Sequence, residues 1–272
     1  MPDPPTDSES TPKAIERVAV AACHAAGVEL RRRYEADDSA GEYSAHDVKA
    51  AADEAAEAKM LPVVRQAFPE HTVVSEEAGR FEGSAPYRWI LDPLDGTNNF
   101  AAGLPTFTTA ATVLYENSPI VAVIYAPITD ETWIATARGD ATADGGVRYN
   151  GEPVRADSDL NPTAGTVSFT VGRNVPADPE LAEEAHTLRS GLEGAVKRVV
   201  PSWAPTYHAG LLARGRIEGY VAFHPDEDEQ AAVELLADEA GCVTYRDGPL
   251  YVAGTDDAML ETVLGALGRD GR

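Results

Sequence analysis

Two aspartates three residues apart, Asp92 and Asp95, are the residues of this chain whose types and spacing most clearly indicate chemistry. They follow the apolar run 89–91, which predicts a buried strand, and Leu94 lies between them with a free carbonyl. Two carboxylates and a carbonyl at one rim of a sheet are hard oxygen ligands of the kind that Mg²⁺ prefers. Gly96 lets the backbone approach a ligand closely, and the amides after it can face a phosphate.

A second acidic segment lies upstream, where the apolar run 73–74 leads through Ser75 into Glu76 and Glu77. Two strand ends that both carry acids predict the two sides of one metal site. The alternative is that the aspartates are solvated residues of an ordinary Asp-Gly turn, but the length of the motif 92–100 argues against it. We interpret Glu77 as a solvated acid.

Length and composition favour a soluble globular protein. The chain has 272 residues, of which 43% are hydrophobic, so it can bury a substantial core in one large domain or two smaller ones. No apolar run approaches the roughly 20 residues that span a bilayer, and the first residues lack the features of a signal peptide. We therefore expect a cytoplasmic protein, with residues 1–12 as a disordered, acidic lead-in.

The net charge of −23 is extreme for a chain of this length, and only four of the 22 cationic residues are lysine. Such a surface suits very high salt, where a Debye length of ~3 Å at 1 M screens self-repulsion. We infer a halophile, although the charge could simply aid solubility. Nucleic acid and anionic membranes are unsuitable partners for this surface. Cys23 and Cys242 have no CxxC partner and are predicted to be buried, reduced thiols.

The hydrophobic pattern predicts an α/β fold in two halves, an α+β half over 13–157 and an α/β half over 158–272. Helices are predicted over 13–37, 46–67, 178–192, 206–215, 228–240 and 256–267. Strands are predicted at 72–75, 88–91, 106–115, 120–125, 132–136, 166–170, 196–200, 219–223 and 242–245, with a hairpin-rich stretch from Gly139 to about Val154.

The motif 92–100, together with Glu76 and Glu77, resembles the inositol monophosphatase and fructose-1,6-bisphosphatase superfamily. These are Mg²⁺-dependent, lithium-sensitive sugar phosphatases with a layered α/β/α/β/α architecture. The resemblance runs from about Val18 to Gly248, and with the acidic composition it suggests a haloarchaeal member. Weaker support comes from three further stretches, which resemble the family's first acidic helix, its central hairpin and the end of its last metal-bearing helix: 47–53, 139–151 and 237–241.

The resemblance implies two or three Mg²⁺ ions, whose first ligands are acids of the first half and whose last ligand lies in the second. Glu76 and Asp92 would bind one ion together with the carbonyl of Leu94, and Asp92 and Asp95 would bind a second. A phosphate monoester is an anion that repels hydroxide, so cations must neutralise it, acidify the attacking water and stabilise the leaving oxygen.

The same resemblance implies the catalytic and phosphate-binding residues. Thr97, held by Asp53, would orient the attacking water, and Glu76 would help to deprotonate it. The amides of Gly96 and Thr97 would hold the phosphate. For Asp53 the alternative is a solvated acid on an alanine- and glutamate-rich helix.

The last metal ligand lies in the second half, which departs from the family pattern. Counting ten residues back from Glu239 places the family's final aspartate at Glu229, with Asp228 where a tryptophan is usual. A slip of one residue would instead present Asp228. Glu229 shares a helical face with apolar residues, which favours it, while an acidic helix N-terminus that only interacts with the dipole is the alternative.

Substrate recognition also departs from the pattern. Ala222 stands where inositol-specific relatives have a carboxylate, and Trp203 lies in the segment that usually carries small residues. Arg173 could hold a second phosphate, as could Lys197 and Arg198, although each could be a surface charge. Two lone histidines that could line the pocket are more often core or surface residues: His208 and His224.

The sequence thus predicts a phosphomonoesterase acting on inositol monophosphate or fructose 1,6-bisphosphate, with a small phosphorylated metabolite as its partner. A phosphometabolite-binding or regulatory protein with weakened catalysis is the alternative. The resemblance also implies a homodimer.

Overall fold

The computed structural model describes residues 11–38, 41–43, 48–138 and 145–269. Within these ranges the helices are α1 (Pro12–Glu35), α2 (Ala51–Ala67), α3 (Thr97–Ala101), α4 (Pro179–Ala195), α5 (Pro205–Leu212), α6 (Glu227–Ala240) and α7 (Asp257–Ala266). Short 3₁₀ turns cover Pro162–Ala164 and Val175–Ala177.

The strands fall into a two-stranded ribbon and two larger sheets. The ribbon is β1 (Gly41–Tyr43) and β2 (Val48–Ala50). The first large sheet contains β3 (Thr72–Ser75), β4 (Gly79–Phe81), β5 (Tyr87–Asp95), β6 (Thr108–Tyr115), β7 (Ser118–Ala126), β8 (Glu131–Thr136), β9 (Gly146–Tyr149) and β10 (Glu152–Val154). The second contains β11 (Thr166–Val171), β12 (Arg198–Pro201), β13 (Gly219–Phe223), β14 (Val243–Asp247) and β15 (Leu250–Gly254).

The first sheet runs in the order β10-β9-β8-β7-β6-β5-β3-β4. Its pairs are antiparallel except for β3 and β5, which are parallel, with Ser75 opposite Leu91. Parallel neighbours end at the same edge of a sheet. The residues that follow Ser75 and Leu91 therefore leave the sheet side by side.

The second sheet runs in the order β12-β11-β13-β15-β14. The first three strands are parallel, and β15 pairs antiparallel with β13 and with β14. The α/β alternation predicted for this half is present, but β15 was missed. Gly248, with φ +55°, allows a tight reversal between β14 and β15, so the apolar run 250–254 returns through the sheet.

Three apolar clusters stack the elements in five layers. Helices α1 and α2 pack on one face of the first sheet, and α5 and α6 fill the space between the two sheets. Helices α4 and α7 cover the outer face of the second sheet. The layered α/β/α/β/α class expected from the sequence is thereby confirmed.

Several element boundaries differ from the prediction for local reasons. Helix α1 begins at Pro12, inside the predicted lead-in, because the Thr11 hydroxyl accepts a bond from the Ala14 amide (3.3 Å) and Pro suits the first helical position. Residues 48–50 form β2 rather than the start of a helix, since they pair with β1. The rest of the predicted lead-in (1–10), Asp47 and residues 139–144 lie outside the described residues.

Two further features concern the cysteines and the apolar character of the helices. Cys23 is buried and Cys242 half-buried, and both thiols are free. None of the helices within the described ranges combines the length and the apolar character needed to cross a membrane.

Candidate active site

A bulge in β5 turns both aspartates of the motif to one side. Asp92 pairs with Ala110 and Asp95 with Thr108, so three steps along β5 match two along β6. In a regular strand, residues three apart point to opposite faces. The extra residue at Pro93-Leu94 reverses the alternation, and proline is tolerated there because a bulge leaves an amide without a ladder partner.

Helix α6 brings a third carboxylate, Glu229, to the two aspartates. One oxygen from each of Asp92, Asp95 and Glu229 lies within 4.8 Å of the others. Three buried apolar residues at helical spacing hold this face of α6 between the sheets: Ala232, Val233 and Leu236. The structure thus brings Glu229 into the acidic cluster, while the side chain of Asp228 lies outside the described atoms.

Burial and mutual repulsion raise the pKa values of all three carboxyls. For Asp92 burial is the main cause of a pKa well above the usual range, followed by the charges of Glu76, Asp95 and Glu229. Burial raises the pKa of Asp95 to about 7, against the lowering effect of hydrogen bonds from Thr206. The pKa of Glu229 is also raised well above its usual range, chiefly by burial and then by Asp95.

The hydrogen bonds of Asp95 leave one oxygen available for a ligand. Oδ2 accepts bonds from the Thr206 amide (2.8 Å), the Thr206 hydroxyl and the Thr108 hydroxyl (3.2 Å). Oδ1 is buried and has no hydrogen-bond partner. A buried, unbonded carboxylate oxygen beside two further carboxylates fits a hard divalent cation, so these residues suit the metal that the sequence predicted.

Glu76 lies at the same rim but outside the three-residue cluster. It follows β3 directly, next to the strand that leads into Asp92. Its Oε1 accepts a bond of 2.5 Å from Nη1 of Arg173, whose Nε also lies 3.4 Å from Asp226. Arg173, predicted as a possible phosphate ligand, is therefore held between two carboxylates.

The predicted pair Asp53 and Thr97 is in contact. Asp53 is buried on α2, and its Oδ1 accepts a bond of 3.0 Å from the Thr97 hydroxyl, which also lies 3.1 Å from the carbonyl oxygen of Leu94. Asp53 is thus not a solvated helix acid. The hydroxyl has one proton, so it donates to one of these acceptors at a time.

Gly96 is required by both conformation and space. Its φ of +94° is in the left-handed region, and a Cβ there would lie 3.0 Å from Cβ of Ala204 and 3.2 Å from the carbonyl oxygen of Trp203. The turn after Asp95 is therefore packed directly against the segment that precedes α5. This contact joins the two halves of the chain beside the acidic cluster.

Sequence reasoning missed Glu57, which organises the loop that carries Glu76. The buried Oε1 of Glu57 accepts bonds from the Ser75 hydroxyl and from the amides of Glu77 (3.1 Å) and Ala78 (2.9 Å). Glu57 is one helical turn after Asp53, so the i, i+4 spacing of two acids on an otherwise apolar face was the available signal.

One cavity of about 410 Å³ contains most of the predicted site residues. Its lining includes Asp53, Glu76, Leu94, Asp95, Gly96, Thr97, Arg173, Trp203 and Glu229, and also Glu77. Asp92 is buried and does not line the cavity. Four other candidates lie elsewhere: Lys197 and Arg198 are outside the lining, His208 bonds Ser168 (2.6 Å), and His224 is exposed at a positive φ. Ala222 is fully buried in β13.

Comparison with known proteins shows relatives along almost the whole chain. A model of the inositol monophosphatase family matches residues 12–266. The Nus factor SuhB of Escherichia coli (strain K12) is 32% identical over 231 residues, which cover 82% of each chain.

Two solved structures share the fold. The extragenic suppressor protein suhB of Bartonella henselae superposes with a TM-score of 0.81 at 24% identity, covering 93% of this chain and 98% of the other. The inositol monophosphatase of Anabaena (Nostoc) sp. PCC 7120 superposes with a TM-score of 0.77 at 23% identity, covering 95% and 97%.

Replacing Glu57 tests whether it positions Glu76. In Glu57→Ala the loop 75–78 loses its common acceptor, so we expect Mg²⁺ affinity to fall on the order of tenfold. Isothermal titration of the purified protein with Mg²⁺ measures this. The control Glu57→Gln keeps an acceptor oxygen and should retain most of the affinity. Equal Mg²⁺ affinity in Glu57→Ala and the unaltered protein would contradict the assignment.

Asp92→Asn should raise the stability of the metal-free protein. A carboxyl whose folded pKa is raised contributes stability below its unfolded pKa and loses it as the pH rises toward the folded pKa. At pH 7.5 with EDTA, removing the charge should increase the free energy of unfolding by roughly 1–3 kcal/mol, measured by urea denaturation. Added Mg²⁺ should stabilise the unaltered protein more than the variant. A lower free energy of unfolding for metal-free Asp92→Asn than for the metal-free unaltered protein would contradict the repulsion among these carboxylates.

Proposed function

We propose, since this chain belongs to the inositol monophosphatase family of metal-dependent phosphatases, that it hydrolyses a small phosphorylated sugar or cyclitol with Mg²⁺ as cofactor. The observation that carries this proposal is the charge of the cavity. Among the described residues that line it, six are acidic and Arg173 is the one cation. A phosphate ester cannot bind beside so many carboxylates unless added positive charge accompanies it.

Asp92, Asp95 and Glu229 are the proposed ligands of the metal, with Glu76 and the carbonyl of Leu94 at its edge. Bound Mg²⁺ supplies the positive charge that neutralises the phosphate and acidifies water. The carboxylates fit this role because their oxygens lie within 4.8 Å of one another. A cation beside them would also lower their raised pKa values, because opposite charge favours the ionised form of a carboxyl.

Asp53 and Thr97 are the proposed acceptors of the water's proton. When the Thr97 hydroxyl donates to Asp53 across 3.0 Å, its oxygen keeps lone pairs that can accept a bond from the attacking water. The pair can then pass a proton toward Asp53, with Glu76 as a further base at the rim. The amides of Gly96 and Thr97 are the proposed donors to the phosphate.

Substrate identity is proposed only as a class. Inositol monophosphate and fructose 1,6-bisphosphate both remain candidates. Arg173 is poorly suited to hold a second phosphate while it is paired with Glu76 and Asp226, which favours a monophosphate. A cytoplasmic homodimer adapted to high salt remains the expectation from the sequence.

Phosphate release is the direct test of this function. We expect the protein to release phosphate from myo-inositol 1-phosphate or fructose 1,6-bisphosphate with Mg²⁺ in molar KCl, and not with EDTA. Asp92→Asn, which keeps the side-chain shape, should abolish release. Unchanged release in Asp92→Asn would contradict the proposed site.

A binding or regulatory role is the second candidate function. One observation in its favour is the 32% identity to a protein named Nus factor SuhB. The other is Glu229, because the family pattern has an aspartate at this position. Absence of turnover on every ester, together with a rise in melting temperature when these phosphates are added, would support this role against hydrolysis.

Glu229→Asp tests the proposed last ligand. The shorter side chain withdraws the carboxylate by about one methylene, so Mg²⁺ affinity should fall about tenfold or more, measured by the Mg²⁺ dependence of phosphate release. The neighbouring control, Asp228→Asn, should leave the Mg²⁺ dependence unchanged. The reverse pattern would assign the ligand to Asp228.

A further inference from the structure

Trp203 differs from the other two tryptophans in its exposure and its place. Trp89 and Trp133 are fully buried, whereas Trp203 is 50% exposed and lines the active-site cavity. A large aromatic side chain left exposed in a cavity gains most when a ligand covers it. The fold leaves half of this side chain uncovered, so a ligand in the cavity has aromatic surface to bury.

The backbone on both sides of Trp203 is fixed. The Ser202 amide donates to the Phe169 carbonyl (2.9 Å), and the Ala204 amide donates to the Ser202 hydroxyl (3.2 Å). Pro205 then begins α5. Because the backbone that carries it is already ordered, the indole of Trp203 can contact a ligand at a low entropic cost.

Trp203 also lies one contact away from the proposed phosphate site. Its carbonyl oxygen is 3.2 Å from the position that a Cβ on Gly96 would occupy. The backbone of Trp203 therefore packs against the turn whose amides are the proposed phosphate donors, and Gly96, Thr97 and Trp203 all line the same cavity.

The remaining walls of the cavity are of two kinds. Val171 and Pro176 contribute apolar surface, while Glu77 and Asp226 contribute carboxylates that can accept hydrogen bonds from hydroxyl groups. A leaving group with an apolar face and a rim of hydroxyls matches both kinds of wall. Rings of polyhydroxylated carbons, as in sugars and cyclitols, have this character.

We propose that Trp203 is a specificity-determining residue, whose indole receives the C–H face of a polyhydroxylated ring in the ester's leaving group. This inference rests on the proposed phosphatase function and names the substrate class of the same site. Acyclic phosphate esters bind without this contact. The indole thus discriminates between esters after the metal site has bound the phosphate.

Kinetics with two secondary esters test the proposal. Trp203→Ala should lower kcat/KM for myo-inositol 1-phosphate on the order of tenfold, mainly through KM, and leave glycerol 2-phosphate within about twofold. Trp203→Phe should restore most of the loss. Leu160→Ala, which removes another exposed apolar side chain, is the control and should change neither ester.

Three results would overturn the proposal. One is an equal loss for both esters in Trp203→Ala, and another is no loss for either. A third is a loss confined to adenosine 2′-monophosphate, which would mean that the indole stacks on a base. Failure of the unaltered protein to hydrolyse any of these esters or fructose 1,6-bisphosphate would instead refute the phosphatase function, so the two failures are distinguishable.

Fluorescence gives a readout that does not depend on turnover. Acrylamide should quench mainly Trp203, since the other two indoles are fully buried. In Asp53→Asn, which keeps the proposed metal ligands but slows hydrolysis, myo-inositol 1-phosphate with Mg²⁺ should reduce this quenching. Glycerol 2-phosphate should reduce it much less. Equal protection by the two esters would also contradict the proposal.

Discussion

Repulsion among buried carboxylates is the constraint on which the rest of this structure depends. Asp92 and Asp95 are buried at the end of β5 and Glu229 is half-buried at the start of α6, and each would be ionised at neutral pH if it were in water. Burial and proximity raise the pKa of each, and that of Asp95 to about 7. Such an arrangement costs folding free energy in the absence of a cation, so the surrounding fold must hold these groups together against their own charges.

The fold supplies that restraint from both halves of the chain. Thr108, on the first sheet, and Thr206, on α5, both bond the same oxygen of Asp95. Their hydroxyl oxygens lie 2.6 Å apart, so either hydroxyl can donate to the other when it does not donate to Asp95. Gly96, the residue after Asp95, packs against Ala204, which is two residues before Thr206. The halves therefore meet at the site itself, and the packing of α6 between the sheets fixes the third carboxylate.

Arg173 and Trp203, which lie around the acids, contribute different properties to the cavity. Arg173 reduces the local negative charge by pairing with Glu76 and Asp226, and its charge also lowers the pKa of Glu229. Trp203 contributes surface rather than charge. In the proposed function, metal binding and leaving-group recognition depend on different side chains within one cavity.

The sequence by itself determined the family of this protein and, through it, the class of chemistry that we propose. The spacing of Asp92 and Asp95, the glycine and threonine that follow, and the acids after β3 were sufficient to predict a metal site at this rim of the sheet. The layered fold followed from the same family resemblance and from the order of helices and strands. These features are local, since a strand end, a turn and a helical face are each set by residues within a few positions of one another.

Only the tertiary structure decided which distant groups meet. It brought Glu229 to the aspartates, paired Arg173 with Glu76 and Asp226, and revealed Glu57 as the acceptor for the loop 75–78. The hairpin of β14 and β15 and the strand β2 were likewise not predicted from the local sequence pattern. The physical reason is that these contacts depend on sheet register and helix packing, which fix distances between residues far apart in the chain, and no local periodicity encodes them.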